Sequence, residues 1–209
     1  MATQVVPRKI TIVGGGFQKF NPESGCNQDI LGLDEAEVRS NQLNTHQYKI
    51  FVHQLKPYHL FMTLAFGLNV SMPGRVKFTK DFIKYHNKMV FGRKYYEGDD
   101  YMEGFAFFEE HPSRVFQNLF HVHMLVKPNH KYAVWGFTAH EEIFRKAASK
   151  VLDLKGRNIF ADDCIHIREA GDDGTIRYCF DQMWDGNLDN IKVIDRCGFV
   201  DNSLVVRRY

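Results

Sequence analysis

Two histidines at alternate positions, His121 and His123, are the residues of this sequence best suited to bind a metal ion. Side chains of a β-strand alternate between its two faces, so a His-x-His pair in a strand presents both imidazoles on one side. The opposite side of the segment is apolar and suits a core: Phe120, Val122, Met124 and Val126. We therefore expect the histidines on a sheet face that no core covers, where they bind a metal together. A pair of half-exposed histidines without a ligand is the alternative.

Tyr178 is the candidate nucleophile. It lies four residues before Gln182 in a segment with a helical pattern, so the two side chains share one helix face about one turn apart. A phenol that attacks a phosphodiester needs a cation to neutralise the phosphate and to polarise its P–O bond. The two histidines would hold that cation. The alternative for Tyr178 is simple packing on a helix surface.

The elements that must position these residues alternate between strand and helix patterns. Strands are predicted at residues Leu60–Phe66, 104–109, 119–126 and 164–167, the middle two forming a hairpin. Helices are predicted at residues 78–89, from the capping box Thr138-x-x-Glu141 to Gly156, and at 175–184. The order β-α-β-β-α-β-α implies an α+β fold with a mostly antiparallel sheet and flanking helices. His86 lies among apolar helix residues and is expected to pack rather than to bind a ligand.

Positive charge is concentrated in one segment. Residues 75–94 contain seven Lys or Arg and one acid, a net charge of +6 in a chain whose total is +2. Lys80, Lys84 and Lys88 line one side of the predicted helix, and Lys127 directly follows the histidine strand. A solvated lysine face is the ordinary explanation, and a DNA-binding surface is the functional one.

Composition excludes several classes of protein. The chain has 209 residues, of which 44% are hydrophobic and 25% charged, as in ordinary globular domains. Its apolar runs fall far short of the ~18 residues of a membrane helix, and no charged-then-apolar leader opens the sequence. We expect a cytoplasmic protein without a membrane partner. Aromatic residues make up 14% of the chain, enough to fill a core and leave rings for stacking on bases.

The first 55 residues differ in composition from the rest. They are rich in Gly, Asn, Gln and Ser, and we expect a partly ordered extension there, followed by one domain over residues 56–209. Gly14, Gly15 and Gly16 predict a turn, because the third glycine of a dinucleotide-binding fingerprint would fall at Lys19. The cysteines are widely spaced and are expected to be free thiols: Cys26, Cys164, Cys179 and Cys197.

Three segments together resemble the motifs of the HUH endonuclease superfamily and occur in that family's order. Phe61-Met-Thr-Leu-Ala-Phe66 is similar to its first-strand motif, and Phe120-His-Val-His-Met-Leu-Val126 to its histidine-hydrophobic-histidine motif. Thr175-Ile-Arg-Tyr-Cys-Phe-Asp-Gln182 is similar to its catalytic-tyrosine helix. Phe107-Phe-Glu-Glu110 is similar to the acid-bearing strand of rolling-circle replication initiators. The resemblance covers residues 58–190, and the His-x-His segment is its most specific part.

The resemblance implies an HUH/RRM-like, ferredoxin-like sandwich with a divalent ion, Mg or Mn, on the open face of the sheet. His121 and His123 would bind the ion with a third protein ligand, and Tyr178 would cleave single-stranded or hairpin DNA. Cleavage would leave a 5′-phosphotyrosine and a free 3′-hydroxyl, which allows rejoining without ATP. A protein of this kind initiates rolling-circle replication of a plasmid, phage or mobile element, with a helicase supplied in trans.

The sequence departs from the initiator pattern after the tyrosine. Initiators carry a lysine three residues after it, where this chain has Asp181. Single-tyrosine transposases place a glutamine ligand four residues after it, and Gln182 fits that spacing. The third metal ligand is therefore either Glu109 or Gln182, with Glu110 as an option if the strand register differs by one. A single-tyrosine transposase and a catalytically silent protein that binds DNA structure remain the alternatives.

Overall fold

The computed structural model describes residues 35–109, 119–133, 137–171, 173–181 and 188–200. In these segments six strands form one sheet: β1 (Leu60–Phe66), β2 (Gly104–Phe108), β3 (His121–Val126), β4 (Phe160–Glu169), β5 (Ile191–Asp195) and β6 (Gly198–Phe199). The helices of the same segments are α1 (Glu35–Gln54), α2 (Met72–Val90), α3 (His130–Ala133), α4 (Phe137–Ala148) and α5 (Asp173–Asp181). Single 3₁₀ turns cover Tyr95–Glu97 and Leu188–Asn190.

The strands are arranged in the order β4-β1-β3-β2-β5-β6, and each neighbouring pair is antiparallel. β3 lies inside the sheet, between β1 and β2. In this register His123 lies opposite Thr63 of β1 and Phe107 of β2. The prediction of an α+β fold with an antiparallel sheet and flanking helices is confirmed, as is the antiparallel pairing of the two central strands.

Helices α2 and α4 cover one side of the sheet, which we call the α2–α4 face. Alternate strand residues such as Met62 and Met124 form one buried cluster there with Phe82 of α2 and Phe144 of α4. His86 of α2 is fully buried in this cluster, and its ring stacks on Phe144 with centroids 4.6 Å apart. The prediction that His86 packs in a core is confirmed.

Helices α1 and α5 cover the other side, the α1–α5 face. Val52 of α1 and Ile176 of α5 belong to a second buried cluster, together with Leu125 of β3. His121 and His123 share this face with Leu125, and each is only 1% exposed. The expectation of an uncovered histidine face is therefore wrong, because strand alternation fixes which way the histidines point but not which helices pack over them.

Several elements differ in extent from their predicted bounds. α2 begins at Met72, well before residue 78, with Pro73 in its first turn, where a missing N–H costs nothing. Thr138 lies inside α4 rather than at its cap, and the helix ends at Ala148, ahead of Gly156. β4 is longer than residues 164–167 at both ends. These differences lengthen the predicted elements or shift their ends without changing their order.

The sequence pattern did not predict α1, which lies within the 1–55 segment. Its C-terminal half contributes Val52 to the α1–α5 face, and it packs against α5. Residues 1–34, including the three consecutive glycines, lie outside the described residues, so the turn predicted there stays a prediction. The strands β5 and β6 were likewise not predicted; they extend the sheet beyond β2.

The predictions of free cysteines and of no membrane-spanning helix can be compared with the described residues. Cys179 and Cys197 are free thiols, as predicted, whereas Cys26 and the side chain of Cys164 lie outside the described part of the chain. Within that part, no helix is both long enough and apolar enough to cross a bilayer.

Candidate metal centre

The side chain of Glu109 joins the two histidines on the α1–α5 face. The β2–β3 ladder continues one residue past β2, since the Glu109 N–H donates to the His121 carbonyl at 3.2 Å. Glu109 therefore stands beside His121, just as Phe107 stands beside His123. Arg75 of α2 donates from Nη1 to the Glu109 carbonyl at 2.5 Å, so both main-chain polar groups of Glu109 are held. We call Glu109, His121 and His123 the triad.

The three ligand atoms of the triad converge on one point. Oε1 of Glu109 lies 2.7 Å from Nε2 of His121 and 2.9 Å from Nε2 of His123, and the two nitrogens are 3.1 Å apart. An ion bound octahedrally at about 2.1 Å holds neighbouring ligand atoms about 3.0 Å apart. All three residues are nearly or fully buried, and within the described residues they are the group that can hold a metal ion. The donor set fits a divalent cation.

The pKa shifts of Glu109 and His123 also suit a cation. Burial opposes ionisation of Glu109, but hydrogen bonds and charge from the two histidines outweigh it and lower the pKa of its carboxyl. Burial lowers the pKa of His123, helped by the charges of His121 and Arg168 and opposed by Glu109. An ionised carboxylate and a neutral imidazole are the forms that bind metal.

Thr63 fixes the orientation of one ligand. Its Oγ1 lies 2.8 Å from Nδ1 of His123, on the side of the ring away from Glu109. When Nε2 keeps its lone pair for an ion, Nδ1 carries the proton and donates it to the Thr63 hydroxyl. A partner of this kind holds the ring and its tautomer in place, as in many metal sites.

Tyr178 lies next to the triad because α5 packs on the same face. Its ring centroid is 5.2 Å from that of His123 and 6.0 Å from that of Phe61. Unlike the triad, Tyr178 is 39% exposed, so a ligand can reach it from solvent. Burial and the charge of Glu109 raise the pKa of the phenol, while Arg168 opposes the rise. The phenol is thus protonated at neutral pH, and it needs a nearby cation to become a good nucleophile.

No protein-family model, curated protein or solved structure matches this chain. The likeness to HUH endonucleases therefore stays a resemblance carried by its motifs.

Of the three candidate third ligands, Glu109, Glu110 and Gln182, the structure describes only Glu109. Glu109 lies with the histidines, whereas Glu110 and Gln182 lie outside the described part of the chain. Glu109 already lies within ligand distance of both histidines. Gln182 as a ligand stays a prediction.

The predicted DNA-binding lysines of α2 do not lie beside the triad. Lys80, Lys84 and Lys88 belong to a helix on the α2–α4 face, so the whole sheet separates their backbone from the histidines. Lys84 is partly occupied, with its Nζ 4.0 Å from Asp81 Oδ1. A role for these lysines in binding DNA stays a prediction, but it concerns a surface remote from Tyr178.

Lys127 lies at the far end of the histidine strand from Glu109. Its Nζ is 2.8 Å from Oε1 of Glu103, in an ion pair between the segments that flank β3 and β2. Four residues of extended strand, about 13 Å, separate it from His123. Lys127 is thus paired with Glu103 at a distance from the triad, and its role in binding DNA stays a prediction.

Sequence reasoning missed four residues that build the site: Phe61, Thr63, Arg75 and Arg168. Thr63 left a signal, since it is the polar residue inside an otherwise apolar strand. Arg75 looked like one more charge of the basic segment, yet it is buried against Glu109. Arg168 lies on the part of β4 that the sequence pattern did not assign to a strand.

Proposed function

We propose that this protein is a metal-dependent DNA nicking and joining enzyme that acts through Tyr178. The observation that supports it most is the contact of an accessible tyrosine with a buried Glu-His-His group, since these are the nucleophile and the cation site that the reaction needs. The triad would hold Mg or Mn, and the bound ion would supply Lewis-acid polarisation of the scissile phosphate.

In the proposed reaction the Tyr178 oxygen attacks the phosphorus atom. The P–O3′ bond breaks, the phenolic proton is lost to water, and the departing 3′-oxygen takes up a proton. Tyr178 then carries the 5′-phosphate of the downstream strand. Attack of a 3′-hydroxyl on this phosphotyrosine restores the phosphodiester and the free phenol, so joining consumes no ATP.

The described residues also suggest a single-stranded substrate. The ring of Tyr178 is exposed, whereas the Phe61 and His123 rings that it contacts are buried, and exposed aromatic rings can stack on unpaired bases. Initiation of rolling-circle replication is the biological role we propose. A single-tyrosine transposase would use the same chemistry and would add Gln182 as a ligand.

The direct test is formation of a covalent adduct. Full-length protein is incubated with Mn²⁺ and a 5′-labelled pool of single-stranded oligonucleotides with random centres and constant flanks. Because only the segment downstream of the cut stays on the protein, a second pool carries its label at the 3′ end. The adduct should appear with the 3′-labelled pool, as a shifted band on a denaturing gel, and should vanish with a chelator or in Tyr178→Phe.

Tyr85→Phe is the matched control, because Tyr85 is 37% exposed on α2, away from the triad, and should leave the adduct intact. Cleavage that survives Tyr178→Phe would contradict the assignment of the nucleophile. A wild type that binds the pool, forms no adduct and keeps its affinity in His121→Ala would support a silent DNA-binding protein instead.

The metal itself needs a separate measurement. Two imidazoles and one carboxylate also form the ligand set of non-haem Fe(II) sites. Adduct formation is therefore compared across Mg²⁺, Mn²⁺ and Fe²⁺ under anaerobic conditions. Activity with Mg²⁺ or Mn²⁺ supports nicking, and an enzyme that binds only Fe²⁺ and forms no adduct contradicts it.

A further inference from the structure

Arg168 stands on the same face as the triad, at the edge of the sheet. It lies opposite Phe61 in the pairing of β4 with β1, and β4 is the outermost strand on that side of the described sheet. The guanidinium carbon lies 4.7 Å from the centre of the Phe61 ring. The same ring stacks on His123, with centroids 5.2 Å apart, and meets Tyr178 edge-on. The Phe61 ring thus contacts Arg168, the metal-ligand candidate His123 and the proposed nucleophile Tyr178.

Four other exposed arginines are each paired with a carboxylate: Arg145, Arg157, Arg177 and Arg196. A fifth, Arg93, has no such partner among the described residues, but it follows the end of α2 and so belongs to the opposite side of the sheet from the triad. Among the described residues, Arg168 has an aromatic ring as its neighbour and no carboxylate within ion-pair distance. A guanidinium in a cation–π contact is not neutralised by it and still has N–H donors in the fork that matches a phosphate.

The negative charges around Tyr178 favour a cation at this position. Glu109 places a negative charge beside the phenol, and the approaching phosphodiester adds another. Asp181, one helical turn after Tyr178, is occupied by Arg177 and faces Lys49 at 4.0 Å. The lysines of α2 are on the opposite side of the sheet, and Lys127 is paired with Glu103. Among the described residues, Arg168 is a cation whose charge acts on Tyr178 and that has no carboxylate partner.

We propose that Arg168 binds the phosphate that Tyr178 attacks, so that Arg168, Phe61 and Tyr178 form a phosphate subsite at the edge of the sheet. This assignment rests on the proposed nicking function for the identity of the phosphate. Phe61 positions the guanidinium, and the guanidinium neutralises a phosphate oxygen that the triad does not reach.

The test uses thymidine 3′,5′-bisphosphate, which carries the charged groups of one nucleotide unit and cannot be nicked. Binding to full-length protein is measured by calorimetry with saturating Mg²⁺. Arg168→Ala should weaken binding about tenfold or more, the effect of one charge-assisted hydrogen bond. Arg168→Lys should recover part of the affinity, because it retains the charge without the fork. Arg157→Ala, an exposed arginine remote from the site, should bind like wild type.

A structural role for Arg168 makes a different prediction. Arg168→Met keeps an unbranched side chain on the Phe61 ring and removes the charge. If Met restores wild-type affinity, or if Arg168→Ala binds within twofold of wild type, the phosphate subsite is overturned. If Met binds as weakly as Ala while the melting temperature stays unchanged, the charge itself is responsible.

The adduct assay separates this proposal from the proposed function. An Arg168-dependent affinity for the bisphosphate in a protein that never forms an adduct keeps the phosphate subsite and rejects nicking. An adduct whose rate is unaffected by Arg168→Ala keeps nicking and rejects the subsite. Wild-type protein that neither binds the bisphosphate nor forms an adduct rejects both.

Discussion

His86 on the α2–α4 face and His123 on the α1–α5 face are almost equally removed from solvent, at 0% and 1% exposure. Their neighbours are different. His86 is stacked on Phe144 among apolar side chains, and burial lowers its pKa to about 3. His123 faces a carboxylate on one ring nitrogen and a threonine hydroxyl on the other. Burial alone therefore does not mark a functional histidine; the convergence of a second ligand and a charge does.

The same contrast holds for the two layers of helices. The α2–α4 face carries the basic segment on its outside and a large apolar cluster beneath it. The α1–α5 face has fewer buried apolar residues and surrounds the triad, whose His123 is in contact with the exposed Tyr178. The α2–α4 face thus mainly stabilises the sheet, and the α1–α5 face carries the candidate metal centre. The following changes can break this contrast, and they are ordered from the largest expected effect to the smallest.

Loss of the triad carboxylate should have the largest effect. Glu109→Gln keeps the shape of the side chain and removes its charge, so Mn²⁺ affinity should fall about 100-fold or more, roughly 2.7 kcal/mol. Calorimetry or electron paramagnetic resonance of bound Mn²⁺ measures this. Glu103→Gln is the matched control, since Glu103 lies at the other end of the same strand pair in an exposed ion pair. Equal affinity in both variants would reject the triad as a metal site.

His86 should make the fold sensitive to acid. Its pKa is about 3 in the folded protein, against about 6.5 when unfolded, so the unfolded state binds the additional proton. The stability that the neutral His86 provides is fully present above pH 6.5 and is lost as the pH falls toward 3. Between pH 7 and pH 5 this amounts to about 2 kcal/mol of unfolding free energy.

Urea unfolding of wild type and His86→Leu at both pH values measures the effect. The variant should lose about 2 kcal/mol less than wild type. His140 is the other titratable group whose charge acts on His86, and it stays in place in both proteins. An identical loss in the two proteins would show that His86 is protonated, and so partly hydrated, in the folded state.

Thr63 should have a smaller effect on the same site as Glu109. Thr63→Val is nearly isosteric and removes the hydroxyl that holds His123, so metal affinity should fall about tenfold. Thr79→Val is the control from the α2–α4 face, where Thr79 is fully buried. A tenfold loss in Thr79→Val as well would mean that general destabilisation, not the hydrogen bond to His123, weakens the metal.

The lysines of α2 should have the smallest effect on the chemical step. Combining Lys84→Ala with Lys88→Ala should leave the rate of adduct formation at saturating DNA within about twofold of wild type, because these residues do not touch the site. If the two lysines bind DNA, the slope of log K against log salt concentration for single-strand binding should become shallower by about 1.4. This is about 0.7 for each phosphate that a lysine no longer neutralises. A large fall in the saturated rate would show that the two faces are coupled.

The sequence predicted the parts of the site that depend on local periodicity. The bounds of β1, the common face of His121 and His123, and the helix bearing Tyr178 all follow from spacing along the chain. The strand that ends near Glu109 was also predicted, one residue too long. Each of these depends on a few neighbouring residues.

The parts that depend on distant segments were not predicted. The histidine face is buried because α1 and α5 pack on it, and the largely polar sequence of α1 gives little sign of this role. Thr63 became a partner of His123 only through the register of β1 with β3. Arg168 reached Phe61 only because β4 continues past residue 167 and pairs with β1.

The hydrogen bond from Arg75 to the Glu109 carbonyl has a thermodynamic consequence. Glu109 follows the last residue of β2, a place where a main chain is ordinarily free to move. Its N–H is held by β3, and its carbonyl is held by a buried guanidinium that also lies 4.1 Å from the centre of the Phe120 ring. The main chain of Glu109 thus loses its conformational entropy when the protein folds and not when the ion binds. An ion entering this site meets a carboxylate that is already in place, so more of its binding free energy appears as affinity.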